Sequence, residues 1–436
     1  MRVAFYTLGC KLNSTETAAM QRQFAEYGHQ VVEFGSDADV LVVNTCTVTE
    51  QADTECRKVI RKGLRGAPGA QVVVTGCYAQ LQPETIASMD GVIAVVGTSD
   101  KMNIVRHLPE YIDRKDVSIH VADLTSSTEF TGARSNAISS RTRAFLKLQD
   151  GCDYSCSFCT IPIARGPSRS MELDRIRQEL IAIQSEGYHE CVLTGINLGE
   201  YRSSSDHRFI DVLRLVHDME LSIRVRIGSI EPNTLRDEVI DVWQNTETIV
   251  PHLHMPLQSG SDALLRLMRR RYNSSLYRDR VESFVSRFSD PGIGIDVITG
   301  FPGETEQLFL ETVDFLQSIP WTYLHVFTYS ERHDTPAASA DGKVDIAERR
   351  RRTNVLRAIS DERTQQFHRS QLGKHKIFLP EGYDAEVGCW NGWTENHVKA
   401  WMAGPFELPK IRYAVKLESL YRDGIFVTPS RSGVSE

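Results

Sequence analysis

The chain has 436 residues, and its 50 basic and 57 acidic side chains leave a formal net charge of −7. This length predicts two or three domains whose cores need no disulfide staples. No apolar run is long enough to span a bilayer and the chain starts without a leader-like segment, so we expect a cytoplasmic protein with no membrane partner. Nine cysteines, an odd number, favour thiol chemistry or metal binding over a disulfide framework.

The first part of the chain, residues 1–135, alternates short apolar strands with helical stretches. Strands are predicted at 3–7, 39–43, 71–75 and 92–96, with helices at 14–27 and from 50 to about 62 between them. This order predicts an α/β domain built on a doubly wound parallel sheet. The polar stretch 108–140 is predicted to connect this domain to the next one.

Three of these strands are each followed, within three residues, by a cysteine: Cys10, Cys46 and Cys77. The carboxyl ends of parallel strands share one edge of an open sheet, and ligands bind at that edge. We therefore expect the three thiols to converge, although a free cysteine is also common as a small buried apolar residue. Cys56 lies within a predicted helix, where we expect it to be such a core residue.

A second set of cysteines is much denser. Cys152, Cys156 and Cys159 follow one another at spacings of four and three, and thiolates select zinc, cuprous copper or iron–sulfur clusters. A structural zinc site normally has four ligands, and no fourth cysteine or histidine follows nearby. A cubane cluster held by three cysteines instead leaves one iron free to bind a ligand. Surface cysteines or a degenerate zinc knuckle are the alternatives.

Residues 136–371 resume the alternation with longer units. Six strands are predicted, at 144–148, 191–195, 224–228, 252–256, 294–299 and 323–328, and helices separate them. The pattern predicts a partial (β/α)6 TIM-like barrel whose site lies at the carboxyl ends of its strands. Polar side chains follow three of these strands, among them Asn197, Glu231 and Gln258.

Residues 372–436 change to short strands separated by turns, predicted at 375–379, 384–389, 397–401 and 413–420. They predict a small β-barrel. Trp390, Trp393 and Trp401 lie near Lys399 and Lys410. These side chains either stack on single-stranded RNA and neutralise it, or they fill the core of the small barrel.

Two further groups have both a functional and a structural interpretation. His252 and His254 alternate along one strand and share a face, so they are either a metal-binding pair or, as we favour, ordinary barrel histidines. The arginine runs at 269–271 and 349–352 are either nucleic-acid contacts or solvated helix faces.

The cysteine loop at 151–162 resembles the signature loop of the radical S-adenosylmethionine (SAM) enzymes. In domain order and in its motifs the whole chain resembles the methylthiotransferases, radical SAM enzymes that insert a sulfur and a methyl group into a C–H bond. The resemblance implies two 4Fe-4S clusters and S-adenosyl-L-methionine as cofactors. The implied ligands of the SAM-binding cluster are Cys152, Cys156 and Cys159. Those of the auxiliary cluster are Cys10, Cys46 and Cys77.

The same resemblance assigns Asn197, Glu231 and Gln258 to the SAM pocket. It identifies the C-terminal barrel with the TRAM domain, an RNA-binding appendage of tRNA-modifying enzymes, with Trp393 where that family usually has tyrosine. Beyond the cluster ligands, the sequence points to no particular catalytic side chain.

Two motifs, at 8–16 and 152–156, look most like the branch that methylthiolates N6-threonylcarbamoyladenosine (t6A) at tRNA position 37. After the first cysteine this chain has Lys11, Leu12 and Asn13, where the isopentenyladenosine branch usually has Gln-Met-Asn and the ribosomal-protein aspartate branch has Pro-Lys-Asn. We therefore expect as partners a tRNA anticodon loop, an electron donor such as flavodoxin or ferredoxin, and a sulfur source. The other two branches are alternatives. A non-catalytic iron–sulfur RNA-binding redox regulator is an alternative of another class.

Overall fold

A computed structural model gives the structure of the protein and describes residues 1–47, 50–125, 130–134 and 142–430. The described residues up to 125 form a parallel sheet in the strand order β2-β1-β3-β4-β5-β6. Its strands are β1 (Arg2–Thr7), β2 (Gln30–Val32), β3 (Val40–Thr45), β4 (Gln71–Gly76), β5 (Val92–Val96) and β6 (Ser118–His120). Its helices are α1 (Lys11–Glu26), α2 (Glu50–Gly66), α3 (Cys77–Leu81), α4 (Pro83–Ala87) and α5 (Ile104–Asp113).

Both faces of this sheet are covered, which confirms the doubly wound prediction. Val3 and Val42 pack on one face against α1 and α5, while Leu41 and Val43 pack on the other face against α2. Strands buried on both faces are continuously apolar, which is why their positions were readable in the sequence. The start of α1 was predicted at residue 14, but the helix begins at Lys11 because the extended backbone of the preceding residue already forms its N-cap.

The central part of the chain forms the predicted partial barrel. Its strands and the short strands beside them are β7 (Ala133–Arg134), β8 (Arg143–Lys147), β9 (Gln149–Asp150), β10 (Arg169–Ser170), β11 (Glu190–Thr194), β12 (Arg224–Ile227), β13 (His252–His254), β14 (Gly292–Thr299) and β15 (Tyr323–Thr328). β8, β11 and β12 are parallel neighbours, as are β13, β14 and β15. A bridge between Ser229 and His254 joins the two groups.

Helices pack around these strands. They are α6 (Ile161–Arg165), α7 (Leu173–Ser185), α8 (Phe209–Asp218), α9 (Asp237–Gln244), α10 (Asp262–Leu267), α11 (Ser274–Arg287), α12 (Glu306–Ser318) and α13 (Ile346–Gln371). Among the residues that the structure describes, no helix has both the length and the apolar character that a membrane crossing requires.

The prediction of a polar connector at 108–140 is wrong for much of its described part. Leu108 and Tyr111 are buried, so α5 continues to Asp113, and β6 then joins the first sheet as a parallel strand. β7 pairs antiparallel with β8 at the edge of the barrel. Residues 126–129 and 135–141 lie outside the described part of the chain.

Side chains alternate between the two faces of each barrel strand, and most of the apolar ones face outward. Leu146, Leu193 and Val225 belong to the core between strands and helices, so their sequence neighbours face the inside of the barrel. The inward side chains include Arg143, Lys147, Glu190, Arg224, Arg226, His252, His254, Asp296, Tyr323 and His325. The inside of this barrel is therefore a polar chamber rather than a packed core.

The C-terminal residues form a closed barrel in the order β16-β17-β18-β20-β19, which confirms the small β-barrel prediction. Its strands are β16 (His375–Asp384), β17 (Cys389–Thr394), β18 (Lys399–Ala403), β19 (Tyr413–Tyr421) and β20 (Gly424–Pro429). The strand predicted at 384–389 is wrong, because these residues turn between β16 and β17 with Gly388 in the left-handed region (φ +62°). β20 was not predicted.

This C-terminal barrel closes the polar chamber at the end where the strands begin. Arg224 and Arg226 donate hydrogen bonds to the main-chain carbonyls of Ile377, Trp393, Thr394 and Glu395. Glu190 is fully buried between the two guanidinium groups and pairs with both. Trp393 stacks on His397, with ring centroids 4.2 Å apart, so it serves the interdomain contact. Trp390 and Trp401 are buried, which favours the core-filling interpretation of the tryptophans.

A buried charge cluster joins the first domain to the barrel. Glu16 on α1 is 0% exposed and pairs with the ammonium groups of Lys101 at 2.5 Å and Lys147 at 3.0 Å and with the Arg165 guanidinium at 3.1 Å. Asp150 pairs with the same Lys147 and Arg165, at 3.1 and 2.9 Å. Burial raises the pKa of Glu16, but the three cations outweigh burial and hold that pKa below its usual range.

Glu16→Gln keeps the shape of this side chain and removes the charge that faces three cations. We expect the free energy of unfolding, measured with urea, to fall by about 3 kcal/mol, because breaking a buried ion pair leaves its partners uncompensated. Glu26→Gln on the exposed end of the same helix is the matched control, with an expected change within about 0.5 kcal/mol. Equal losses in the two variants would contradict the role of the cluster.

Candidate functional site

The structure places the three strand-end cysteines of the first sheet together at its carboxyl edge. Cys10 follows β1 and caps α1, Cys46 follows β3, and Cys77 begins α3 directly after β4. The backbone of Gly9 lies against Cys46, since a β-carbon at Gly9 would be 2.7 Å from the Cys46 sulfur. Cys10 in turn lies within electrostatic reach of Cys77. Cys56 is fully buried in the core, as predicted.

Two asparagines hold the loops that carry these cysteines. The Asn13 amide donates to the carbonyls of Leu8 and Thr45, both at 2.9 Å, and the Asn44 amide donates to the Asn13 carbonyl at 3.0 Å. Gly76 adopts φ +99°, and a β-carbon there would be 2.5 Å from Asn44 Oδ1. The loops are therefore fixed by backbone geometry as well as by side chains.

Positive charge lies beneath this first cysteine set. Burial raises the pKa of Cys77, while the Arg165 and Lys101 charges lower it in part. Arg165 also donates to Asn13 Oδ1 at 2.7 Å, so a residue of the barrel reaches into the loops of the first domain. Cations at this position stabilise anionic sulfur.

The second cysteine set lies on a loop that the two-stranded pair β9 and β10 closes at its base, with Asp150 opposite Arg169. The Cys152 amide donates to the Gly166 carbonyl at 3.1 Å. Gly151 is in the left-handed region (φ +71°) and has no room for a side chain against the Gly166 carbonyl. Gly166 directly follows Arg165. Arg165 therefore contacts the loops of the first cysteine set, and its neighbour Gly166 contacts the second set.

Arg270 links the second cysteine set to a predicted SAM-pocket residue. Its guanidinium donates to the Cys156 sulfur at 3.0 Å and pairs with Glu231. Burial raises the pKa of Cys152 and of Cys159 to about 12, so these thiols are protonated at neutral pH until a metal deprotonates them. Three sulfur ligands at each set fit a 4Fe-4S cluster with one open iron.

Of the other two predicted SAM-pocket residues, Asn197 lies near the second cysteine set. Asn197 is buried, and its amide interacts with the Tyr154 hydroxyl of the cysteine loop. Gln258 is half-buried with φ +66°, and its backbone donates to Asp296 and accepts from Ile298. An amide has two N–H donors and one acceptor oxygen, so Asn197 keeps hydrogen-bonding capacity for a small polar ligand.

The predicted histidine pair does not come together as a pair of metal ligands. His252 hydrogen-bonds the Tyr323 hydroxyl at 2.9 Å and stacks on His397, which agrees with the structural interpretation. His254 instead lies 3.0 Å from Asp296 and 3.3 Å from the ring nitrogen of His325. Sequence reasoning missed Asp296 and His325, although the period-two alternation of β14 and β15 places both in the polar chamber.

The two arginine runs are mostly turned toward protein groups. Arg271 stacks over the Tyr154 ring at 3.9 Å, Arg349 pairs with Glu331, and Arg352 pairs with buried Glu304. Arg349 and Arg352 are buried, so these two are neither solvated, as the structural interpretation expected, nor open to a nucleic acid. Arg270 was missed as a site residue because its neighbours made it resemble part of a surface patch.

Comparisons with known proteins agree with this geometry. Residues 2–97 match the model of a family described as uncharacterized protein family UPF0004, and residues 146–316 match that of the radical SAM superfamily. A radical SAM methyltransferase, TsrM from Kitasatospora setae, has a solved structure with a TM-score of 0.56 at 14% identity, covering 77% of each chain. At this identity the likeness shows the fold alone.

Three relatives share the sequence over most of their length. The chain is 36% identical, over 100% of its length and 98% of the relative's, to a protein named threonylcarbamoyladenosine tRNA methylthiotransferase MtaB from Bacillus subtilis (strain 168). It is 36% identical, over 86% of its length and 91% of the relative's, to the protein of that name from Aquifex aeolicus (strain VF5). A tRNA-2-methylthio-N(6)-dimethylallyladenosine synthase from Syntrophus aciditrophicus (strain SB) is 30% identical to this chain, over 86% of this chain's length and 83% of the relative's.

The chain therefore belongs to the radical SAM methylthiotransferase family. Three relatives named for threonylcarbamoyladenosine are 30 to 36% identical to this chain and cover 86 to 100% of it. Radical SAM enzymes use a 4Fe-4S cluster with SAM, and methylthiotransferases carry a second cluster, which confirms the expected cofactors.

Arg270→Met removes the positive charge beside the Cys156 sulfur. We expect the reduction potential of the SAM-binding cluster, measured by redox titration, to fall on the order of tens of millivolts, because a nearby cation favours the reduced, more negative cluster. Arg269→Met removes an exposed neighbouring charge and serves as the control. A potential that is unchanged by Arg270→Met in a protein of full iron content would contradict this role.

Proposed function

We propose that this protein adds a methylthio group to C2 of N6-threonylcarbamoyladenosine at position 37 of tRNA. The observation that carries the proposal is the presence of two separate three-cysteine sets in one chain, one on the first sheet and one on the barrel. Full-length similarity to proteins named for this modified base supports this branch over the alternatives. The Lys11-Leu12-Asn13 sequence after Cys10 supports the same choice.

We assign the ligands of the SAM-binding cluster to Cys152, Cys156 and Cys159. We assign those of the auxiliary cluster to Cys10, Cys46 and Cys77. When bound, the two clusters and SAM supply the radical and sulfur chemistry of the family.

The chain's own residues bind and orient SAM and the target base. Arg270 holds Glu231 in place beside the Cys156 sulfur, and the buried Asn197 amide offers hydrogen-bonding groups to SAM. The polar chamber accommodates the target base after it leaves the anticodon-loop stack, which costs little in a single-stranded loop. An electron donor of the flavodoxin or ferredoxin type and a sulfur source complete the proposed set of partners.

For the RNA itself, we propose a contact on the far side of the C-terminal barrel. Phe406 is 67% exposed, and its ring packs edge-on against Tyr383 and stacks at 6.5 Å on Trp390. The Lys410 ammonium lies 5.8 Å from the centre of the Trp390 ring. An exposed aromatic beside a cation is the combination that stacks on a base and neutralises a phosphate.

Iron content tests the two-cluster assignment. After anaerobic reconstitution, the native protein should hold about eight irons and a Cys152/Cys156/Cys159 triple alanine variant about four, at four per cubane cluster. A Cys10/Cys46/Cys77 triple alanine variant should also hold about four, cleave SAM to 5′-deoxyadenosine, and leave t6A-containing tRNA without the added methylthio mass. The readouts are Mössbauer spectra and mass spectrometry of the nucleosides.

Cys191→Ala is the control, because Cys191 is fully buried in the barrel core away from both sets. A native protein with about four irons that all disappear with the second cysteine set would refute the methylthiolation proposal. Absence of SAM cleavage in a fully reconstituted native protein would favour the non-catalytic regulator.

Phe406→Ala tests the proposed RNA contact. We expect the affinity for unmodified tRNA to fall about tenfold, since stacking on one base contributes roughly 1 to 3 kcal/mol. Leu420→Ala, which removes another exposed apolar side chain from the same barrel, should leave the affinity within about twofold. Binding is measured by fluorescence anisotropy, and equal affinities for the native and Phe406→Ala proteins would exclude the contact.

A further inference from the structure

Three neighbouring strands of the barrel each present one metal-binding side chain to the polar chamber. These side chains are His254 on β13, Asp296 on β14 and His325 on β15. Asp296 lies directly opposite His325 in the strand register, and His254 pairs with Gly294, the preceding residue on the same face of β14. Because Gly294 has no side chain, the His254 imidazole reaches diagonally across it to Asp296.

The donor atoms of these three side chains converge on one point. Asp296 Oδ1 lies 3.0 Å from His254 Nε2 and 3.0 Å from His325 Nδ1, and the two ring nitrogens are 3.3 Å apart. A zinc ion binds nitrogen and oxygen at about 2.0 to 2.2 Å, which places neighbouring ligands roughly 3 to 3.5 Å from each other. The three separations are those of ligands around a single ion.

The other ring nitrogen of His254 already has a partner. Ser229, just after β12, places its hydroxyl oxygen 2.7 Å from His254 Nδ1. When the Nδ1–H donates to this oxygen, the lone pair on Nε2 is free to bind a cation, and such a second contact orients the histidine ligands of metal sites. The side chains of His254 and Asp296 are 13% and 20% exposed, whereas that of His325 is 53% exposed, so the group is accessible from one side.

Hydrogen bonding alone gives an incomplete account of this arrangement. Asp296 Oδ1 can accept from both rings, but the 3.3 Å contact between the two nitrogens then joins two donors. A cation between the three atoms replaces this contact with bonds to two lone pairs, and the carboxylate supplies negative charge.

We propose that His254, Asp296 and His325 bind a divalent transition-metal ion of the zinc class, separate from both cysteine sets. Two imidazoles and a carboxylate suit such an ion, and three protein ligands leave a coordination position open to water or to an oxygen donor in the chamber. The Gln258 amide donates to the Asp296 carbonyl at 2.8 Å, so this site adjoins a residue of the predicted SAM pocket. The inference goes beyond the proposed function and does not depend on it.

Zinc affinity tests the site. Untagged protein is reconstituted anaerobically, so that clusters occupy the cysteine sets, and Zn²⁺ is titrated in competition with a chromophoric chelator. We expect one Zn²⁺ per native chain. Since losing the partner of a metal ligand costs about 10- to 100-fold in affinity, Ser229→Ala should bind about tenfold more weakly and His325→Ala, which loses a ligand itself, at least about 100-fold more weakly. His375→Ala removes an exposed histidine from the C-terminal barrel and should bind like the native protein.

X-ray absorption at the zinc edge identifies the ligands of the bound ion. The proposed site requires a shell of nitrogen and oxygen with imidazole scattering and no sulfur. Sulfur in that shell, native affinity in His325→Ala, or a native protein that binds no Zn²⁺ would each overturn the inference. Asp296→Asn keeps the shape of its side chain and provides a second ligand variant with the same expected loss. Iron content and circular dichroism establish that each variant keeps its clusters and fold. The methylthiolation proposal stands or falls separately, on the methylthio mass added to tRNA.

Discussion

The buried charge cluster around Glu16 is the interaction on which the arrangement of both sites depends. Lys101 comes from the first domain, whereas Lys147, Asp150 and Arg165 come from the barrel. Such charges are stable inside a protein only when each one keeps its partners. This requirement holds the two domains in one relative position. The position of one cysteine set relative to the other follows from it, because each domain carries one set.

The barrel differs from a packed TIM barrel in where its apolar residues lie. Its apolar side chains face the surrounding helices, and its inward side chains are mostly polar or charged. Two sets of contacts stabilise this polar interior. Arg224 and Arg226 satisfy carbonyls of the C-terminal barrel, and the same arginines neutralise Glu190. The C-terminal barrel is thus part of the chamber wall as well as a separate module.

Much of the fold could be predicted from the sequence because it follows from local rules. Buried parallel strands are continuous apolar runs, and a residue after each strand must lie at the carboxyl edge, so Cys10, Cys46 and Cys77 were expected to converge. β20 escaped prediction because the turn before it uses Arg422 and Asp423, with Arg422 at φ +51°, instead of the Asn-Gly pair that usually marks such hairpins.

The contacts between domains could not be predicted in the same way. Arg165 meets Glu16 across 149 positions of sequence, and no periodicity or spacing rule connects residues so far apart. The docking of Trp393 and its neighbours on the barrel was missed for the same reason, since an exposed aromatic and one buried in an interface have the same appearance in a sequence. Arg270 was mistaken for part of a basic patch because charge alone does not tell which way a side chain points.

The order in which the chain is synthesised gives the charge cluster a further consequence. Glu16 and Lys101 leave the ribosome before Lys147 and Arg165 exist, and domains generally fold from the N-terminus as they emerge. During that interval the first sheet holds its buried carboxylate with one of its three cations, and Asn13 lacks its contact with Arg165. The contacts of Arg165 with Glu16 and Asn13, which join the first domain to the barrel, therefore form only after residue 165 has been synthesised.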